Sequence, residues 1–422
     1  MRTIRLEEYR SRLVEDLSRE DLTFLTAKHS RTVTATLDPA TALPQLTASS
    51  WVGVITLPSG RELRITTKVP VANLFYMLAV VEDWPFRPDD IVSYAPDTTI
   101  LYVVARYFRD LLLRIDESGL YRAYRDESDN LTTLRGRIDF REDLRLNVIE
   151  RQRTACTFSD FTRDIPENQI LRQAAHLLAE CGLVGDLAAD FRTLDYWWSD
   201  IRLTGYDPEV VSTFVYHRLN DHYRPVHQLA SVLLRWLSPG GTEGASRFPA
   251  FLVNMNSLYE EFVRRSIGAA LRGTVRVRKP QPLALDESEQ AHIQPDLLFE
   301  EDAHPILVAD CKYKRVGPQV GSDSDLYQMV AYCTALGLTH GVLIYPRHLL
   351  DVDDQLAIRH SRLRLHRASI NLGLPLSQLE SECVRVSADL VGFYRTFADH
   401  RAGKTQEFHS PATTINSPTL TP

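Results

Sequence analysis

The chain has 422 residues, 44% of them hydrophobic and 24% charged, with a formal net charge of -7. That length predicts two or three domains, each able to bury its own core. The acidic balance excludes a protein that coats nucleic acid by bulk charge, while leaving room for a local basic groove.

Five scattered cysteines, Cys156, Cys181, Cys311, Cys333 and Cys383, form no C-x-x-C pair. This argues against a disulfide framework or a zinc knuckle and points to a reducing compartment. The N-terminus, MRTIRLEEYRSRLVEDL, is too charged for a signal peptide, and no apolar run approaches the roughly 20 residues that span a bilayer. A cytoplasmic protein with no membrane partner is expected.

In chain order, residues 51–72 predict a hairpin: two β-rich runs flank PSG, and Leu63 and Ile65 alternate with polar residues. ANLFYMLAVVED follows as a short apolar helix, and residues 99–115 carry a helical pattern. The Arg-rich stretch 118–137, with Arg122, Arg125, Arg135 and Arg137, reads as an exposed loop or extended hairpin. DIPENQILRQAAHLLAECG has Pro166 near a helix start and Gly182 past its end. A further helix covers HQLASVLLRWLS. PGGTEGAS, 239–246, is the best linker. Beyond it the pattern is helix (251–271), strands (274–278, 293–299, 305–313), helix (325–336) and strand (340–345), an α/β order. The expected divisions are a β-rich 1–115, a mostly helical 116–245, an α/β 246–398, and a Ser-, Thr- and Pro-rich disordered tail at 399–422.

The strand at 305–313 carries charge where apolar residues are expected. Alternation puts Ile306, Val308, Asp310 and Lys312 on one face, and Leu307, Ala309 and Cys311 on the other. Both faces are largely apolar, so the strand is central, and an unpaired charge there costs several kcal/mol or shifts its pKa. Asp296, after Pro295, opens the preceding strand. If the two strands pair through a turn near Glu301–His304, Asp296 and Asp310 approach each other. Two adjacent carboxylates repel unless a cation lies between them, and a hard Mg²⁺ suits oxygen donors. Lys312 would position or help deprotonate a water, or neutralise a phosphate. The plain alternative is an internal salt bridge, Asp310 or Asp296 to Lys312. For an isolated D-x-K triplet that alternative wins; the preceding Pro-Asp and the apolar strand tip the balance to a metal site.

These residues carry a resemblance. PD…DCK resembles the P-D-x(n)-(D/E)-x-K motif of the PD-(D/E)xK nuclease superfamily, and DLYQMVAY, with Gln328 and Tyr332 one helical turn apart, resembles the Q-x-x-x-Y motif of its RecB-like members. NSLYEEFVRR is similar to the helix that supplies a further glutamate. The apolar stripe Phe251, Met255, Leu258, Tyr259, Phe262, Val263 leaves Glu260 and Glu261 both at its edges; the superfamily pattern L-F-E-x-F-V matches at Glu260. ITTKVPVANLFYML, LRGRIDFREDL, DFTRDIPENQILRQAAHLL and LNDHYRPVHQLASVLL resemble blocks of the McrC family, the nuclease subunit of McrBC-type restriction systems, from about residue 50 to about 375. Thr67 stands where that family has a proline before Lys68.

The resemblance implies a mixed α+β N-terminal region and a C-terminal restriction-endonuclease-like domain, a central mixed sheet flanked by helices. It implies Asp296 and Asp310 as metal ligands with Glu260 as an accessory one, Lys312 as the catalytic lysine, Gln328 and Tyr332 as steadying groups, and Mg²⁺ as cofactor. The reaction implied is hydrolysis of double-stranded, methylated DNA in complex with a McrB-like AAA+ GTPase hexamer bound by the N-terminal region. By the same analogy Arg122 and Arg125 touch and stimulate that GTPase; an ordinary basic loop is an equal alternative. A scaffold with little catalysis and a stand-alone nuclease are the other readings.

Three basic runs, VRVRKP, KYKR and RHSRLRLHR, suggest a phosphate-facing rim with Arg278, Lys279, Lys314, Arg315, Arg362 and Arg364. In the last run alternation groups Arg362, Arg364 and His366 against Leu363 and Leu365. For any one run a solvated strand face is the plainer reading. RAGKT, 401–405, lacks the first glycine of a P-loop, Ala398 standing there, and reads as chance. His217, His222 and His227 lack the spacing of a zinc site, and Pro225 interrupts any helix, so they read as surface or loop histidines.

Overall fold

The computed structural model describes residues 3–84, 98–149, 152–237, 250–314, 323–349 and 355–405, with 394–405 as backbone alone. It divides into two compact units, Met1–Asn254 and Met255–Pro422. Among the described residues no helix is long and apolar enough to cross a membrane.

In the first unit the expected hairpin forms: Trp51–Thr56 pairs antiparallel with Glu62–Thr66. Thr3–Glu7 and Ala250–Asn254 complete that four-stranded sheet from its two edges. Ala250–Asn254 corrects the helix expected from 251. Phe251 and Met255 fit a helical stripe, but Phe251 and Val253 also alternate, and pairing with Trp51–Thr56 takes them as a strand. The unit boundary therefore falls at 254/255 rather than 245/246, and the linker expected at 239–246 lies outside the described residues.

The boundary expected at 115/116 falls inside the helix Ile100–Ser118. That helix packs with Pro166–Glu180, Leu187–Trp197 and Arg224–Leu237, and Trp198 Nε1 donates to Asp116 Oδ1 at 2.8 Å. The Arg-rich stretch is a strand, Ala123–Leu131, paired along its length with Thr154–Thr162, which also pairs with Arg137–Ile138. The middle region is thus less helical than expected.

The second unit is built on a six-stranded mixed sheet in the order Arg276–Arg278, Leu297–Glu301, His304–Cys311, Arg364–Ile370 beyond His340–Pro346, and Gln355–Ala357 at the far edge. His304–Cys311, the acidic strand, is antiparallel to Leu297–Glu301 and parallel to His340–Pro346. The hairpin turn between the first two uses Asp302 and Ala303 at φ 48° and 63°, the twist that two-residue β-hairpin loops require. The helix Asp323–Ala335 connects the acidic strand to its parallel neighbour and packs on both. Leu298, Val308, Met329, Tyr332, Cys333, Leu343, Tyr345 and Leu365 form the core beneath it. Met255–Ala270 and Leu376–Thr405 pack together and on the sheet. The last helix carries the chain through residues 399–405, where the tail was expected to begin; 406–422 lie outside the described residues.

Gly341 sets how closely the helix Asp323–Ala335 approaches. A Cβ there would lie 2.6 Å from Met329 Sδ and 2.7 Å from Cys333 Sγ. Gly341→Val is expected to cost about 1–3 kcal/mol by overpacking, read as a lower denaturant midpoint, and to lower activity by lifting this helix. An unchanged midpoint would show that the helix does not need this contact.

Candidate active site

The acidic strand is apolar until its last turnings, where Asp310 is 2% exposed. Its partner in the hairpin fixes what it meets. Leu297 stands opposite Ala309 and Leu298 opposite Val308, so one step further Asp296 faces Asp310. Asp296 lies just before its strand rather than within it, and its Oδ2 accepts the Cys311 backbone N–H at 2.8 Å. Lys312 lies one residue past the acidic strand, its backbone N–H still donating to the Ile344 carbonyl at 2.9 Å.

Lys312 Nζ lies 2.5 Å from Asp310 Oδ2, an oxygen with no aligned hydrogen-bond donor; the distance makes this an ion pair. Nζ also donates to Gln328 Oε1 at 2.9 Å. Gln328 Nε2 donates to the Tyr332 hydroxyl at 2.5 Å, and that hydroxyl donates to the Gln294 carbonyl at 3.2 Å. The four groups form one directed chain of donors ending on the backbone next to Pro295. Glu260, on Met255–Ala270, pairs with Lys279. Its neighbour Glu261 is taken by Arg264 and Arg265 of the same helix. Geometry thus separates two glutamates that periodicity leaves equal: Glu260 is the one whose charge reaches Asp296 and Asp310.

Burial, reinforced by the Asp310 charge and by Glu260, pushes the Asp296 carboxyl up to about 7. Burial also raises Asp310, against the opposing pull of Lys312. Burial by itself would lower Lys312, but the surrounding carboxylates, Asp310 foremost with Asp325 and Asp296, together outweigh it and the ammonium is held more firmly than usual. Among the described residues no three His, Cys, Asp or Glu groups already stand close enough to hold a metal ion. The donor chemistry nonetheless fits a hard divalent cation: two carboxylates opposed across a hairpin, a third within electrostatic reach, and pKa values raised by burial and crowding, which a cation would lower again. Lys312 occupies the position of that neutralising charge.

A family model described as "McrBC 5-methylcytosine restriction system component" matches residues 46–346, more than half of the chain. The chain belongs to the McrBC family. The Type IV methyl-directed restriction enzyme EcoKMcrBC of Escherichia coli (strain K12) is 23% identical over 303 residues, 66% of this chain and 86% of that protein. A chain in the assembly of Thermococcus gammatolerans McrB AAA+ hexamers with bound McrC superposes with a TM-score of 0.68 at 15% identity, covering 92% of this chain and 100% of that one. At that identity the likeness is one of fold.

The basic residues of this McrBC-family chain do not form the expected rim. Arg278 pairs with Glu300 across its strand, Lys279 with Glu260, and Lys314 with Asp325 at 2.6 Å. Arg315 lies outside the described residues. Arg362 and Arg364 are exposed, but Arg364 stands opposite His340 while Asp310 stands opposite Leu343 and, beyond it, Arg367. They occupy the other end of the strands, roughly 10 Å along them from the carboxylates. His366, expected beside them, is buried and stacks on His340 and Phe393. Arg122 is exposed; Arg125 is tied to Glu127 and Asp164. His227 is no surface histidine. It is buried in Arg224–Leu237, within hydrogen-bonding distance of Tyr216 and the Glu167 carbonyl, and burial lowers it to about 4. Pro225 sits in the first turn of that helix, where proline is tolerated. Asp325, paired with Lys314 and 3.9 Å from Lys312 Nζ, is the residue missed; it shares a helix face with Gln328 and Tyr332 by i, i+3, i+7 spacing.

The raised Asp296 pKa makes stability depend on pH. The folded state holds this proton more tightly than the unfolded state, so its contribution is fully present below about pH 3.8 and is lost as pH rises through about 7. Asp296→Asn, which keeps an acceptor for Cys311 and cannot ionise, should stabilise the metal-free protein at pH 8 by on the order of a few kcal/mol, read as a higher thermal midpoint, and much less at pH 5. An equal shift at both pH values would contradict the raised pKa.

Proposed function

We propose that this restriction-system component is its DNA-cleaving subunit, a Mg²⁺-dependent endodeoxyribonuclease of the cytoplasm that works with a McrB-like AAA+ GTPase and stimulates its GTP hydrolysis. The observation that carries the reading is the opposed Asp296–Asp310 pair with Lys312 held beside it by Gln328 and Tyr332. A chain whose role was scaffolding alone would have no use for two buried carboxylates with raised pKa values, Asp310 helping to raise Asp296. The Escherichia coli relative is named as a methyl-directed restriction enzyme, and the Thermococcus gammatolerans assembly holds McrC on McrB hexamers. The first supports methylated DNA as substrate, and the second an AAA+ hexamer as partner.

In this reading Asp296 and Asp310 hold the cation, with Glu260 as accessory ligand. When bound, the cation supplies Lewis acidity and neutralises charge at the scissile phosphate. Lys312 adds a fixed positive charge for the negative charge that develops on the phosphoryl oxygens. Its value lies in being positioned in advance: Gln328 accepts from Nζ at 2.9 Å, and Tyr332 holds the Gln328 amide. DNA contacts by Arg362 and Arg364 would then engage phosphates away from the cleaved bond. Replacing both with Ala should flatten the salt dependence of binding more than it slows cleavage of bound DNA.

The decisive experiment is plasmid cleavage, methylated against unmethylated, with a candidate GTPase partner, GTP and Mg²⁺. Asp310→Asn is expected to lower cleavage by about a hundredfold or more while GTPase stimulation persists. Cleavage that survives the substitution rejects the site. Exposed Arg122 is the better candidate for GTPase stimulation: Arg122→Ala should reduce it, whereas Arg125→Ala should chiefly loosen the sheet that Asp164 and Glu127 brace. Stimulation unaffected by Arg122→Ala would remove that role.

A further inference from the structure

We propose that Asp325 is a positioning residue that draws Lys312 off Asp310 when Asp310 binds a cation. The proposal rests on the nuclease reading above. Asp325 lies in the first turn of Asp323–Ala335 and is 4% exposed. Lys314 Nζ lies 2.6 Å from its Oδ2, and the Tyr345 hydroxyl donates to the same oxygen at 3.5 Å. Its Oδ1 is 2.8 Å from Lys314 Nζ and 3.9 Å from Lys312 Nζ. One ammonium satisfies a buried aspartate, so the second has to be accounted for.

Lys312 stands between two carboxylates, 2.5 Å from Asp310 and 3.9 Å from Asp325, and Gln328 fixes it from a third direction. A cation held by Asp310 draws on the same carboxylate that Lys312 now neutralises. Without another anion in reach, the ammonium would have to give up its carboxylate in a largely buried setting, which is costly. With Asp325 on its other side, Lys312 exchanges one carboxylate for another and keeps its bond to Gln328. Asp325 therefore lowers the cost of cation entry while leaving the positive charge beside the phosphate.

A double-mutant cycle on the full-length chain tests this, with Mn²⁺ alone as the probe and binding followed by electron paramagnetic resonance. Asp325→Asn should weaken Mn²⁺ affinity by about tenfold when Lys312 is present, and by less than about twofold in a Lys312→Met background. An equal loss in both backgrounds would mean that Asp325 acts by charge or folding alone, and overturns the proposal; so does no loss in either. Lys314→Met removes the rival claimant while leaving Asp325 available, and should keep or raise the wild-type affinity. It carries the test if Asp325→Asn fails to fold, and a loss with Lys314→Met overturns the proposal. Binding abolished by Asp310→Asn but untouched by Asp325→Asn would leave the nuclease reading standing and remove this one. No binding by the wild-type chain would overturn both.

Discussion

The ion pair between Lys312 and Asp310 governs the second unit. Both groups are largely withdrawn from water, with side-chain exposures of 18% and 3%. Withdrawing two charges costs several kcal/mol each, and their attraction recovers that cost only when the remaining donors and acceptors are also met. Much of the surrounding structure meets them. Gln328 caps the ammonium, Tyr332 fixes Gln328, and the Gln294 carbonyl fixes Tyr332. Such a pair is a poor source of stability compared with apolar residues of the same size, so its presence at the end of an otherwise apolar strand argues for chemistry.

Topology brings these groups to one place. The acidic strand, His340–Pro346 and Arg364–Ile370 run parallel, so their C-terminal ends share one edge of the sheet, where α/β proteins collect ligand-binding groups. The crossover between the first two of these strands must return over a face of the sheet, and the helix that does so is Asp323–Ala335. Its inward face carries Asp325, Gln328 and Tyr332. Gly341 lets that helix sit low enough for Gln328 to reach Lys312.

Local pattern revealed the part of the site that depends on local pattern. Strand alternation put Asp310 and Lys312 on one face, and helical spacing put Gln328 and Tyr332 together; both arrangements follow from backbone geometry alone. Pairings made at long range were not legible. Arg278 read as a phosphate contact because Glu300, its partner, is 22 residues away on the neighbouring strand. Glu260 and Glu261 read alike because the partner of Glu260, Lys279, is 19 residues away, while Arg264 and Arg265 hold Glu261 from the same helix. Residues 251–254 satisfied both a helical and a strand period, and only the distant run 51–56 selected the strand. His227 shows the same limit: a histidine five residues from His222 carries no mark of being buried until the helix Pro166–Glu180 supplies the Glu167 carbonyl beside it.

The smallest part of the site explains why the register matters. Cys311 stands between the two charged residues and contributes its backbone N–H, which donates to Asp296 Oδ2 at 2.8 Å. Pro295 brings no N–H of its own, and the ladder stops at Leu297 opposite Ala309. The Asp296 side chain therefore takes the place of a backbone acceptor at the point where the two strands part. A slip of one residue would turn Asp296 to the other face and leave the Cys311 amide without its acceptor. One hydrogen bond thus links the hairpin register to the facing of two carboxylates. This is why a Pro-Asp step at that distance from D-x-K can be read as a site, when D-x-K alone reads as a salt bridge.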